Sequence, residues 1–209
     1  MGDSMEKNWF KVKKIFPKVW GLAEFNHFEK VVSYLFIGDK KALLFDTGLG
    51  IGNLRKEISN LTDFPIIVVN SHSHYDHVGG NQLFKRIKKN IKNRETISIS
   101  PFEFIVIKTP GHTPDSICLL ETSMRLLLSG DTMYPGPIYL HLKESSYSAY
   151  RQSIRNLNRL DNVRYILPGH NAFLCKGNLI EKIFNKISDE KVDHHDIKIN
   201  KTTKLKLVS

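Results

Sequence analysis

The chain has 209 residues, 41% of them hydrophobic, and 31 Lys and Arg against 21 Asp and Glu give it a net charge of +10. That length and apolar content suit one domain spanning residues 1–209 with an ample core. The longest apolar runs are strand-length, which excludes a membrane-spanning helix. The stretch from Met1 to Trp20 is charged throughout and lacks an apolar signal segment, so a cytoplasmic protein is expected.

Residues 9–25 and 31–37 read as strands, and Gly38-Asp39-Lys40-Lys41 reads as a turn into a strand over 42–45. Helical patterning follows over 51–61, then the apolar run Pro65-Ile66-Ile67-Val68-Val69 reads as a buried strand. A second helix is expected over 80–92, leading into the basic run Lys85 to Arg94, which holds six cations and no anion. Strands come next near 95–99, 102–108, 116–120 and 125–129. Tyr150, Ile154, Leu157 and Leu160 mark one face of a helix, with Ser145 or Ser146 as its N-cap. After the strand Tyr165-Ile166-Leu167, a last helix fits Leu179, Ile180, Ile183, Phe184 and Ile187.

The junctions between these elements carry the chemistry. Directly after Val69 stands Asn70-Ser71-His72-Ser73-His74-Tyr75-Asp76-His77, with three imidazoles and a carboxylate inside six positions. Buried polar groups cost free energy unless they are paired or coordinate metal, and imidazole with carboxylate suits zinc or iron. Three further strands each end in a glycine-containing turn that presents one ligand-type residue. The turns are Thr109-Pro110-Gly111-His112, Ser129-Gly130-Asp131 and Pro168-Gly169-His170. Ligands at the carboxyl ends of several strands can converge on one edge of a sheet.

These motifs, with Asp46-Thr47-Gly48, resemble the metallo-β-lactamase superfamily and are most similar to its glyoxalase II-like hydrolase branch. The resemblance implies an αββα four-layer sandwich, in which two mixed β-sheets lie face to face with helices on the outer faces. It implies one metal held by His72, His74 and His112 and a second held by Asp76, His77 and His170. Asp131 would bridge the two, and Asp46 would support the cluster from behind. The cofactors would be two divalent metal ions, foremost zinc, with iron or manganese as alternatives. Such a pair lowers the pKa of a bridging water until hydroxide forms near neutral pH, and Asp76 would orient it or carry its proton. True β-lactamases of the superfamily generally lack a bridging Asp at the position of Asp131, which argues against lactam hydrolysis.

Residues 130–136, the helix around Tyr150, and Gly111 to Leu119 also resemble the metallo-β-lactamase-domain acyl-coenzyme A thioesterases. The expected activity is therefore hydrolysis of a thioester or related ester of a small anionic substrate. Tyr134, Tyr139, His141 and Tyr147 are candidates to line its pocket or to donate to the developing oxyanion. The alternative is a mononuclear iron enzyme similar to the persulfide dioxygenases, using His72 or His74 with His112 and Asp131. A nuclease or a non-catalytic binding protein ranks lower. The basic run could attract an anion, but no aromatic-plus-basic platform for single strands accompanies it, so nucleic acid is not an expected partner. Only 34 residues separate His77 from His112, and 39 follow His170. The first interval lacks elements that border the cleft in many relatives, so an open site or a homodimer that completes it is expected. The second is too short for the helical domain with which authentic glyoxalase II grips glutathione. Cys118 and Cys175 lack metal spacing and read as free thiols. His27 reads as a surface residue, and His194-His195 as a pair outside the catalytic site.

Overall fold

Four strands wind up the first sheet and a crossover adds a fifth. β1 (Lys11–Phe16), β2 (Val19–Ala23), β3 (Val32–Ile37) and β4 (Ala42–Phe45) pair antiparallel in that order. After the helix α1 (Leu54–Ser59), β5 (Ile66–Val69) joins parallel to β4. Asn53 caps α1 by accepting from the Lys56 amide. A short helix, α2 (Tyr75–Val78), leaves β5 directly. The computed structural model describes residues 9–189, 197–198 and 204–207.

The second sheet takes β6 (Thr96–Ile99), β7 (Phe102–Lys108), β8 (Ile117–Glu121) and β9 (Leu126–Gly130). β10 (Pro137–Leu140) lies outside it. After the helix α3 (Tyr147–Leu157) the sheet resumes with β11 (Tyr165–Pro168), parallel to β9, and β12 (Cys175–Lys176). The order is β12-β11-β9-β8-β7-β6, and α4 (Leu179–Asp189) follows. Both sheets are mixed, as expected.

The side-chain alternation explains the layering. In β4, Leu43 and Phe45 point into the core between the sheets, while Ala42 and Leu44 meet Leu54 and Ile58 of α1 on the other side. In the second sheet, Phe104, Val106, Leu119 and Leu128 face inward, and Ile107, Cys118, Leu120 and Leu127 face outward. There they bury Tyr150, Ile154 and Leu157 of α3 with Ile180, Ile183 and Ile187 of α4. Strands buried on both faces read as continuous apolar runs, which is the pattern β4, β5 and β9 carry. The result is the expected four-layer αββα sandwich. Ser146 caps α3 by accepting from the Ala149 amide, while the Ser145 hydroxyl donates instead to the His112 carbonyl. Both cysteines are free, and Cys118 is buried.

The helix expected over 80–92 is absent. Only a 3-10 turn, Asn81–Leu83, forms there. The chain then runs extended beside β5: the Val68 amide donates to the Arg86 carbonyl at 2.9 Å, and the Lys88 amide donates to the Val68 carbonyl at 2.9 Å. Six cations on one short helix would repel with no acid at i+4 to offset them. The extended path relieves that crowding and lets Phe84 and Ile87 pack on the outer face of the first sheet. A second departure lies in the basic tail, where β13 (Ile197–Lys198) and β14 (Lys204–Leu207) build a small sheet on β10, with β14 parallel to it. His194-His195 falls outside the described residues. Among the described residues no helix is long and apolar enough to cross a membrane.

Candidate metal centre

The carboxyl ends of β4, β5, β7, β9 and β11 meet at one rim of the sandwich, and each delivers part of a single cluster. β4 ends at Asp46, and β5 runs into His72 and His74, with Asp76 and His77 on α2. β7 leads to His112, β9 to Asp131 and β11 to His170. All seven of the ligand-type residues expected from sequence come together, and all but His74 are buried. Three groups have their ligand atoms within 4.8 Å of one another: His72, His74 and His112; His72, His77 and Asp131; and Asp76, His77 and His170.

Each imidazole is held from outside by one ring nitrogen. His112 Nδ1 donates to the Tyr139 carbonyl at 2.7 Å and His170 Nδ1 to the Glu29 carbonyl at 2.6 Å. His77 Nδ1 donates to Asp46 Oδ2 at 2.8 Å. His72 Nδ1 lies 2.9 Å from the Ser71 hydroxyl, and His74 Nε2 lies 2.9 Å from Glu144 Oε1. Such outer contacts fix the tautomer and aim the other nitrogen.

The inward nitrogens then confront one another. His77 Nε2 and His170 Nε2 stand 3.2 Å apart, and His112 Nε2 and His74 Nδ1 stand 3.0 Å apart. In the tautomer with its proton on the outer nitrogen, a neutral ring turns only a lone pair inward. His72 Nε2 is buried and has no hydrogen-bond partner among the described residues. Asp131 sits between the groups, its Oδ1 3.1 Å from His77 Nε2 and 3.0 Å from His170 Nε2, and its Oδ2 3.4 Å from His112 Nε2. Imidazole nitrogens converging on one another and on a shared buried carboxylate suit a cation. The donor set therefore fits metal ions.

Electrostatics support the same arrangement. Burial, reinforced by the neighbouring His77, pushes His72 well below the ordinary histidine range, and burial lowers His112 as well. Both rings are thus neutral, which is the ligating form. Burial is also the largest influence on His77 and His170, but Asp131, joined at His77 by Asp46, outweighs it and raises both, so at these two rings a bound cation would take the place of a proton. Asp46 adopts the left-handed region at φ 64°. Its carboxylate compensates that strain by accepting from the Ser71 amide at 2.6 Å as well as from His77.

A cavity of about 570 Å³ opens over the cluster. Tyr134, Tyr139 and His141 are among the residues that line it. The Tyr134 hydroxyl donates to the Pro137 carbonyl, so its proton is already engaged. Tyr147 does not line the cavity. It opens α3, packs against the outer core and lies under the Arg151 guanidinium. His27 stands apart from the cavity and stacks on Phe28 with ring centroids 4.2 Å apart. Sequence reasoning missed Phe28, Glu29 and Glu144 on the cavity wall. None belongs to a strand-end motif, and only Glu29 and Glu144, as acids, gave any signal.

Glu24 was missed too. It is buried beneath the Asp46-Thr47-Gly48 turn, where its Oε2 accepts from the Leu49 amide at 3.3 Å. Burial raises its carboxyl from 4.5 to about 7. Between those pH values the folded chain keeps a proton that the unfolded chain has released. Stability therefore falls as pH rises from 4.5 to about 7, by about 3 kcal/mol in all, and is level above that. Glu24→Gln is expected to remove this contribution. Urea midpoints of variant and parent should coincide at the acid end and separate toward pH 8, with the variant more stable. Parallel curves across the whole range would show that Glu24 carries no such proton.

The comparisons agree with this geometry. A family model described as the metallo-beta-lactamase superfamily matches residues 28–92 and 89–170. The acyl-coenzyme A thioesterase MBLAC2 of Gallus gallus is 22% identical over 247 residues, covering 89% of each chain. The hydroxyacylglutathione hydrolase of Buchnera aphidicola is 27% identical over 208 residues, covering 91% of this chain and 79% of its own. Among solved structures, a metallo-beta-lactamase from Pontibacter korlensis superposes with a TM-score of 0.72 at 16% identity, over 87% of this chain and all of that one. ETHE1 from Myxococcus xanthus gives 0.64 at 19% identity, over 87% and 85%.

Proposed function

Because the chain belongs to the metallo-beta-lactamase superfamily, we propose that it is a metal-dependent hydrolase that carries two divalent ions, foremost zinc, and cleaves a thioester or related ester of a small substrate. The observation that carries this reading is the orientation of the five imidazoles. Each is anchored outside through one ring nitrogen and turns the other on its neighbours inside. Relatives named as a thioesterase and as a hydroxyacylglutathione hydrolase support the bond type.

His72, His74 and His112 would hold one ion, Asp76, His77 and His170 the other, and Asp131 would serve both. Bound there, divalent ions supply Lewis acidity and a water whose pKa is brought near neutrality. The protein's own share is to orient and to move a proton. Asp76 Oδ2 lies 3.6 Å from His77 Nε2 and 3.5 Å from His170 Nε2, and the residue lines the cavity floor. Besides holding the ion, it would orient the attacking water or carry its proton to a leaving group. Tyr139 and His141 would position the substrate from the facing wall.

Elemental analysis of protein purified without added metal tests the reading. About two zinc equivalents per chain, with turnover of a thioester panel, are expected. About one iron with little zinc, together with oxygen uptake on a persulfide, would replace it with a mononuclear iron oxygenase.

A further inference from the structure

We infer that the substrate group lodged at the mouth of the cavity carries a positive charge of the alkylammonium kind. This deepens the hydrolase reading and rests on it for the identity of the reacting bond. The net charge of +10 suggests an anionic ligand, but the clefts that collect cations are other ones. Arg86 and Lys88 line one surface cleft, and Arg94, Lys108, Arg125 and Arg159 line another. The cavity over the cluster has no Lys or Arg among its lining residues, and four carboxylates: Glu29, Asp76, Asp131 and Glu144. Two divalent ions would bring four positive charges, which these four carboxylates match. Asp46, fully buried just behind, adds a fifth negative charge. The wall thus offers an anion no surplus of positive charge.

What the wall does offer is aromatic surface around a carboxylate. Phe28 is 77% exposed and Tyr75 is 58% exposed, and both flank Glu29 at the cavity mouth. The Tyr75 hydroxyl donates to Glu29 Oε1 at 2.6 Å, which fixes the acid beside the ring. Glu144 faces the same cavity, its Oε1 2.9 Å from His74 Nε2. Large apolar side chains left open to water at a cavity mouth mark a binding surface. Ring faces with carboxylates between them attract an ammonium group through charge and the ring quadrupole.

The test uses three non-hydrolysable thioether analogues on one scaffold, ending in trimethylammonium, in its neutral tert-butyl isostere or in carboxylate. Calorimetric titration of the zinc-loaded protein at low salt is expected to rank them in that order, with about tenfold between the first and last. Glu29→Gln keeps a partner for Tyr75 and should narrow the ammonium-over-tert-butyl preference by about threefold. A carboxylate analogue that binds as well as the cation, no binding of any of the three, or a preference untouched by Glu29→Gln would overturn the inference. Ammonium-selective binding without turnover of the matching thioester would instead refute the hydrolase reading and leave this one standing.

Discussion

Turnover by His112→Ala should fall by a thousandfold or more, equivalent to about 4 kcal/mol of transition-state stabilisation, while the fold stays in place. His112 lies at the end of β7, outside all three apolar clusters, so its loss opens no core cavity. What it removes is one inward nitrogen, 3.0 Å from His74 Nδ1 and 3.4 Å from Asp131 Oδ2, and the anchor on the Tyr139 carbonyl. Asp76→Asn should be equally damaging for a different reason. It keeps the shape but loses the charge and the proton-accepting oxygen near His77 and His170. Metal content, circular dichroism and initial rates measured on the same preparations separate the two effects. Native dichroism with near-normal hydrolysis in either variant would mean the site has been wrongly assigned.

Gly130→Ala should damage both stability and activity without touching an ionisable group. Gly130 has φ +48°, and a Cβ there would lie 2.4 Å from the Ser71 Cβ and 2.6 Å from its Oγ. Ser71 holds His72, and Asp131 is the next residue after the glycine, so a methyl group would wedge apart the ends of β5 and β9 inside the cluster. Left-handed backbone costs an alanine roughly 1–2 kcal/mol, and overpacking adds roughly 1–3 kcal/mol. For a chain of this size that lowers the melting temperature by about 5–15 °C. A displacement near 1 Å at the reacting centre costs about a hundredfold in rate. Thermal melts and single-turnover rates would show the paired loss. An unchanged melt would mean that the strand ends yield freely.

The cluster was legible because the ligand-type residues follow apolar strands, four of them directly after β5 and three in glycine turns, and ionisable side chains at such places need a structural reason. The core helices were legible for a similar reason: Tyr150, Ile154 and Leu157 repeat at helical spacing and do bury one face. That spacing also places Tyr147 three residues before Tyr150, on the same buried face, so its absence from the cavity could have been read from the periodicity. The failure over 80–92 has another origin. Its apolar residues fit a helix locally, but the unpaired amide and carbonyl of Val68 reward an extended path, and β5 stands far away in that part of the sequence. β10 and the walls supplied by Phe28, Glu29 and Glu144 escaped because loop residues follow no period. Their roles arise only when distant segments meet.

The path of residues 84–92 bears on how the molecule keeps to itself. β5 is the outermost strand of its sheet, and a bare outer strand is a template on which another chain can add. The segment that lies along it shields part of that border, through the Arg86 carbonyl and the Lys88 amide, and arrives with its lysines and arginines attached. A second molecule approaching this border would meet the same density of positive charge on its own, and the two would repel. In this place the basic run works against strand-to-strand addition at the border of β5.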